Sequence, residues 1–71
     1  MVELRITESN GEYRGAMPVD FNGKITTYLS IERPSADEVR SWAKSTYKAV
    51  TGEDIGKFDE KLAKEKVDDA V

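Results

Sequence analysis

Residues 2–31, VELRITESNGEYRGAMPVDFNGKITTYLSI, carry two Asn-Gly pairs, Asn10-Gly11 and Asn22-Gly23, between stretches of alternating apolar and polar residues. Asn-Gly tolerates the positive φ angles of tight hairpin turns, so each pair instructs the chain to reverse. In the first stretch Val2, Leu4 and Ile6 alternate with Glu3, Arg5 and Thr7, the pattern of a strand with one buried face. A two-residue turn at Asn10-Gly11 sets Ile6 opposite Gly15, Leu4 opposite Met17 and Val2 opposite Val19. That register collects the apolar side chains on one side of the sheet.

The same count at Asn22-Gly23 sets Val19 opposite Thr26 and sends Ile25, Leu29 and Ile31 to the other face. A type I turn through Asp20, Phe21 and Asn22, with Gly23 as the αL residue of a G1 bulge, avoids this. Val19 then pairs with Ile25, Met17 with Thr27, Gly15 with Leu29 and Tyr13 with Ile31. The expectation is a three-stranded antiparallel meander with one apolar face. Pro18 turns its ring to the other face, and its missing N–H predicts local bulging in the middle strand.

Downstream, Ser35-Ala36-Asp37-Glu38 is a capping-box sequence and opens a helix. Ala36, Val39, Ala43, Tyr47 and Val50 recur at helical spacing and define the stripe that lies on the sheet, with Trp42 on its flank. Gly52 is placed to end the helix in the αL conformation. A second amphipathic helix is expected from about Asp54 to Lys66, with Ile55, Phe58 and Leu62 as its apolar positions and Gly56 weakening its first turn. Glu53/Lys57, Glu60/Lys64 and Lys61/Glu65 are i,i+4 pairs that support it, and Val67–Val71 are expected to fray. The predicted fold is α+β, a three-stranded antiparallel meander with one face packed by two C-terminal helices (βββαα), forming a single domain over residues 1–71.

Composition narrows the function. With 71 residues and neither cysteine nor histidine, the chain has no disulfide staple, thiolate nucleophile, Cys/His zinc site or imidazole base. Eleven basic residues against 14 acidic ones leave a net charge of −3, whereas nucleic-acid binders usually carry a basic surplus. No apolar stretch approaches the roughly 20 residues that span a bilayer, and the start MVELRITE has no signal-peptide pattern. A cytoplasmic protein that does not engage membranes is expected.

Candidate contact residues come from the predicted solvent face of the meander: Arg5, Thr7, Arg14, Thr26, Tyr28 and Ser30. A twisted sheet presenting Arg, Thr and Tyr suits a DNA major groove, where Arg reads guanine; the alternative is an ordinary solvated face flanked by Glu3, Glu12 and Glu32. On the first helix, Arg40, Lys44 and Lys48 form a basic column that reads as a solvated helix face. Glu53, Asp54, Asp59, Glu60, Asp68 and Asp69 are interleaved with Lys57, Lys61, Lys64 and Lys66, which points to charge pairing rather than to an anionic docking surface. Adjacent helical carboxylates such as Asp59/Glu60 diverge by about 100° and make a poor metal or glycosidase pair.

The stretch from Asn10 to Trp42, with Gly11-Glu12-Tyr13 opening the second strand, Gly23-Lys24 the third and Ser35-x-x-Glu38-Val39-x-x-Trp42 the helix, resembles the arm-type DNA-binding domain of tyrosine integrases. In that family a three-stranded sheet backed by a helix inserts its exposed face into the major groove. The resemblance implies Arg5, Arg14, Lys24, Thr26 and Tyr28 as contacts. From the residues themselves, the expected function is a small non-catalytic binding module that docks on a protein, or on its own copy, through the open sheet face or a strand edge. DNA binding through that face is the alternative. No enzyme activity, cofactor or small-molecule ligand is expected.

Overall fold

The computed structural model of the chain describes residues 2–64. Two hairpins form first in the chain: β1 (Val2–Ser9), β2 (Glu12–Phe21) and β3 (Lys24–Leu29). Asn10 and Gly11 have φ of 53° and 77°, and Asn22 and Gly23 have 55° and 75°, so both turns are two-residue type I′ reversals. After β3 come one helix, α1 (Ala36–Thr51), and a fourth strand, β4 (Phe58–Lys64). The sheet order is β3-β2-β1-β4, with β4 parallel to β1 and the other pairs antiparallel.

The first hairpin has the expected register, with Ile6 opposite Gly15. The second does not. Val19 pairs with Thr26, Met17 with Tyr28 and Ala16 with Leu29, so the G1 bulge expected at Gly23 is absent and Ile25, Leu29 and Ile31 do not lie beneath the helix. Asn22 adopts positive φ as readily as Asn10, and the two-residue turn therefore prevails over the hydrophobic pattern of β3. Pro18 faces Thr27 in an uninterrupted β2–β3 ladder. Tyr13 and Gly15 both direct their backbone groups toward the β3 side, so by alternation the nitrogen of Pro18 points toward β1, and the β2–β3 ladder loses no donor.

The bulge lies instead just past β3. Ala16 pairs with Leu29, while Tyr13 exchanges two backbone hydrogen bonds of 2.8 Å with Arg33; the β3 side advances four residues while β2 advances three. Ser30 N–H donates to the Gly15 carbonyl at 2.9 Å, and Gly15 N–H donates to Ser30 Oγ at 2.7 Å. The serine hydroxyl thus takes the place of a ladder carbonyl at the irregular step.

Helix α1 starts and stops where its caps place it. Ser35 Oγ accepts from Glu38 N–H at 3.3 Å, and Gly52, with φ of 79°, donates to the Lys48 carbonyl at 2.8 Å. Its inner face packs on β1 and β2. Leu4, Ile6, Met17, Val19, Val39 and Ala43 are buried, with Val2, Tyr13, Tyr28, Ala36, Trp42, Tyr47, Val50, Ile55 and Phe58 packed around them.

The predicted second helix is corrected to β4, and βββαα to a four-stranded mixed sheet with a single helix between its strands. Phe58 and Leu62 are four residues apart, a spacing that one helical turn and two strand repeats satisfy equally. Gly56, with φ of 64°, turns the chain just before the segment. The open side of β1 then decides the outcome, because pairing there satisfies a full row of backbone groups: Val2 aligns with Phe58, Leu4 with Glu60 and Ile6 with Leu62. Glu60 and Lys61 accordingly lie on a strand, where the i,i+4 spacing expected of a helix does not apply, while Glu65 of the expected Lys61/Glu65 pair and the expected fraying of Val67–Val71 lie outside the described residues.

Gly15 sits at the closest approach of helix to sheet. A Cβ there would lie 2.5 Å from Val39 Cγ1 and 2.9 Å from Trp42 Cζ3, well inside van der Waals contact. Gly15→Ala is expected to push α1 outward and lower stability by about 1–3 kcal/mol. Urea unfolding followed by the fluorescence of the single tryptophan checks this, and an unchanged midpoint would contradict it.

Candidate functional site

Helix α1 covers one face of the sheet and leaves the other open. Register and alternation place Glu3, Arg5 and Thr7 from β1, Arg14, Ala16, Pro18 and Asp20 from β2, Ile25, Thr27 and Leu29 from β3, and Asp59, Lys61 and Ala63 from β4 on that open face. An open depression of about 1000 Å³ crosses it, lined by residues including Thr7, Arg14, Ala16, Leu29, Ile31 and Ala63.

The face divides into two halves. On the β1–β4 side Arg5 Nε donates to Glu3 Oε1 at 2.7 Å, and Lys61 Nζ lies 3.4 Å from Glu3 Oε2. The Arg5 hydrogen bond, followed by the charge of Lys61, holds the Glu3 carboxyl below its ordinary pKa. Arg14 pairs with Glu32. The β3 side is more apolar: Ile25, Leu29 and Ile31 are 68%, 74% and 70% exposed, beside Ala16 and Pro18, with Asp20 opposite Ile25 at the turn end.

The predicted contact residues are therefore scattered. Arg5, Thr7 and Arg14 do share the open face. Thr26 and Tyr28 stand opposite the buried Val19 and Met17 and so lie on the helix side, where Tyr28 packs against the core; Lys24 follows the same alternation at the turn end of β3. Ser30 is occupied by the bulge. The exposed aliphatic residues, which sequence reasoning assigned to the core, replace them as the prominent feature of the face. The signal that could have found them is the repetition of the Asn10-Gly11 turn at Asn22-Gly23.

The basic column of α1 is largely engaged within the molecule. Arg40 meets Glu60 of β4 side-on, with Nη2 to Oε2 at 2.8 Å, and also pairs with Asp37; Lys48 Nζ lies 3.5 Å from Asp54. The Arg40 hydrogen bond lowers the Glu60 pKa, and Glu60 in turn raises that of Arg40. This bidentate pair ties the helix to the outermost strand. A smaller depression along α1 is lined by Arg33, Glu38, Ser41, Trp42 and Ser45. Arg33 Nε is buried there with no hydrogen-bond partner among the described residues, while its backbone is held by Tyr13.

No helix among the described residues is long and apolar enough to cross a membrane, and no cluster of acidic side chains among them is arranged to hold a metal ion. Comparison of the chain with protein-family models, with curated proteins and with solved structures found no match. The open face is thus read from its own chemistry.

Ser30→Ala is expected to strand the Gly15 N–H at the bulge and cost about 1–3 kcal/mol; hydrogen exchange at Gly15 should accelerate beyond that of the neighbouring β2 amides. Because folding lowers the Glu60 pKa, the Arg40–Glu60 contribution is fully present above the ordinary carboxylate value of about 4.3 and is lost as pH falls through the lowered value. Denaturation midpoints across the acid range should show a shallower loss for Glu60→Gln than for the native chain.

Proposed function

We propose that this chain is a small non-catalytic binding module that docks on protein through the β3 side of the open sheet face and the adjoining strand edge. The observation that carries this reading is the grouping of Ile25, Leu29 and Ile31, each about 70% exposed, on one side of the sheet. Burying such a side chain fully is worth about 1.5–3 kcal/mol, and contiguous apolar surface beside polar residues is the usual mark of an interaction site. The Glu3–Arg5–Lys61 network and the Arg14–Glu32 pair border it as a polar rim.

Duplex DNA is the weaker occupant. An integrase-type contact set needs Arg5, Arg14, Lys24, Thr26 and Tyr28 together, and of these only the arginines lie on the open face. Both are already paired with carboxylates, and the net charge of −3 gives no counterion-release advantage.

Immobilised wild-type chain, Leu29→Lys and Lys44→Glu should separate the readings when offered host proteins and labelled duplex. A protein retained by wild type and Lys44→Glu, and bound at least about tenfold more weakly by Leu29→Lys, is the expected result. Equal retention by all three, or salt-sensitive duplex binding without a protein partner, would overturn the proposal.

A further inference from the structure

We infer that β3 pairs antiparallel with β3 of a second copy of this chain about a two-fold axis through Thr27. This deepens, and rests on, the docking reading of the same face. Strand β3 is an edge of the sheet, and its hydrogen-bonding direction follows from Ser30, whose N–H is given to Gly15 of β2. By alternation Thr26 and Tyr28 also bond toward β2. The N–H and C=O groups of Ile25, Thr27 and Leu29 point outward, away from the sheet.

Those three residues are self-complementary. Placing Thr27 opposite Thr27 of the partner subunit sets Ile25 beside Leu29 of the partner subunit, and Leu29 beside Ile25 of the partner subunit. Every apposed residue in that set is one whose backbone faces the edge, so the register forms roughly six backbone hydrogen bonds. The same alignment sets two Ile–Leu pairs on the open face, one on either side of the central Thr27 pair. Registers centred further along the strand run into the bulge at Ser30–Ile31, and those centred closer to the turn run out at Gly23.

Charge selects the same edge. The only charged side chain in β3 is Lys24, and the proposed register places it opposite Ser30 of the partner subunit, so no like charges meet. Strand β4, the opposite edge, carries Asp59, Glu60 and Lys61, and charged edges resist pairing with another chain. A strand of six residues is about 20 Å long. An interface of that size falls below the roughly 1,600 Å² of a standard stable complex, so association is weak and depends on concentration.

Sedimentation equilibrium of the full chain from micromolar to millimolar concentration should show a monomer–dimer transition, weakened at least about tenfold by Leu29→Lys. Amide exchange at Ile25, Thr27 and Leu29 should slow as concentration rises, while Thr26 and Tyr28 stay unchanged. A chain that remains monomeric throughout overturns self-pairing without touching the protein-capture result above. A dimer whose Ile25, Thr27 and Leu29 amides exchange at an unchanged rate overturns it as well, by placing the contact elsewhere.

Discussion

The absence of a side chain at Gly15 is the constraint on which the rest of the structure depends. Val39 and Trp42 occupy the space a Cβ would take, so α1 can lie close over β2 and bury Val39 and Ala43 against Leu4, Ile6, Met17 and Val19. In a chain of 71 residues, where a single small core carries most of the stability, closeness of packing matters more than the number of apolar residues available. Several of the largest aliphatic side chains, including Ile25, Leu29 and Ile31, contribute nothing to that core.

Local turn chemistry and hydrophobic pattern compete in this chain, and the turn wins. At Asn10-Gly11 they agree, and the first hairpin could be read from residues 2–19 down to individual pairs. The caps of α1 were equally legible, because Ser35, Glu38 and Gly52 act through contacts with their immediate neighbours. At Asn22-Gly23 pattern and turn disagree by one residue. That single step exchanges Ile25 and Leu29 for Thr26 and Tyr28 beneath the helix. Backbone preference outweighs burial there, which takes Lys24, Thr26 and Tyr28 off the open face.

The misreading of β4 has a different origin. Phe58 and Leu62 fit either repeat, and Glu60, Lys61 and Ala63 around them favour helix in isolation. What makes the segment a strand lies far away in sequence: the exposed side of β1 and the guanidinium of Arg40, which receives Glu60 on the inner face where an aliphatic residue would otherwise be expected. Non-local demands of this kind leave no periodic trace. The Arg40–Glu60 pair accounts for the one carboxylate that breaks the inward apolar row of β4.

Pairing the first strand of the sheet with its last also orders events during synthesis. Val2 pairs with Phe58 and Ile6 with Leu62, so during synthesis both hairpin segments leave the ribosome before the strand that covers the free flank of β1 has been released. One flank is sealed only after the helix has left the exit tunnel; the other, along Ile25 to Leu29, stays uncovered from first emergence. A newly made chain thus meets its surroundings with its stickiest margin already in view, at the stage when chaperones and neighbouring nascent chains are closest.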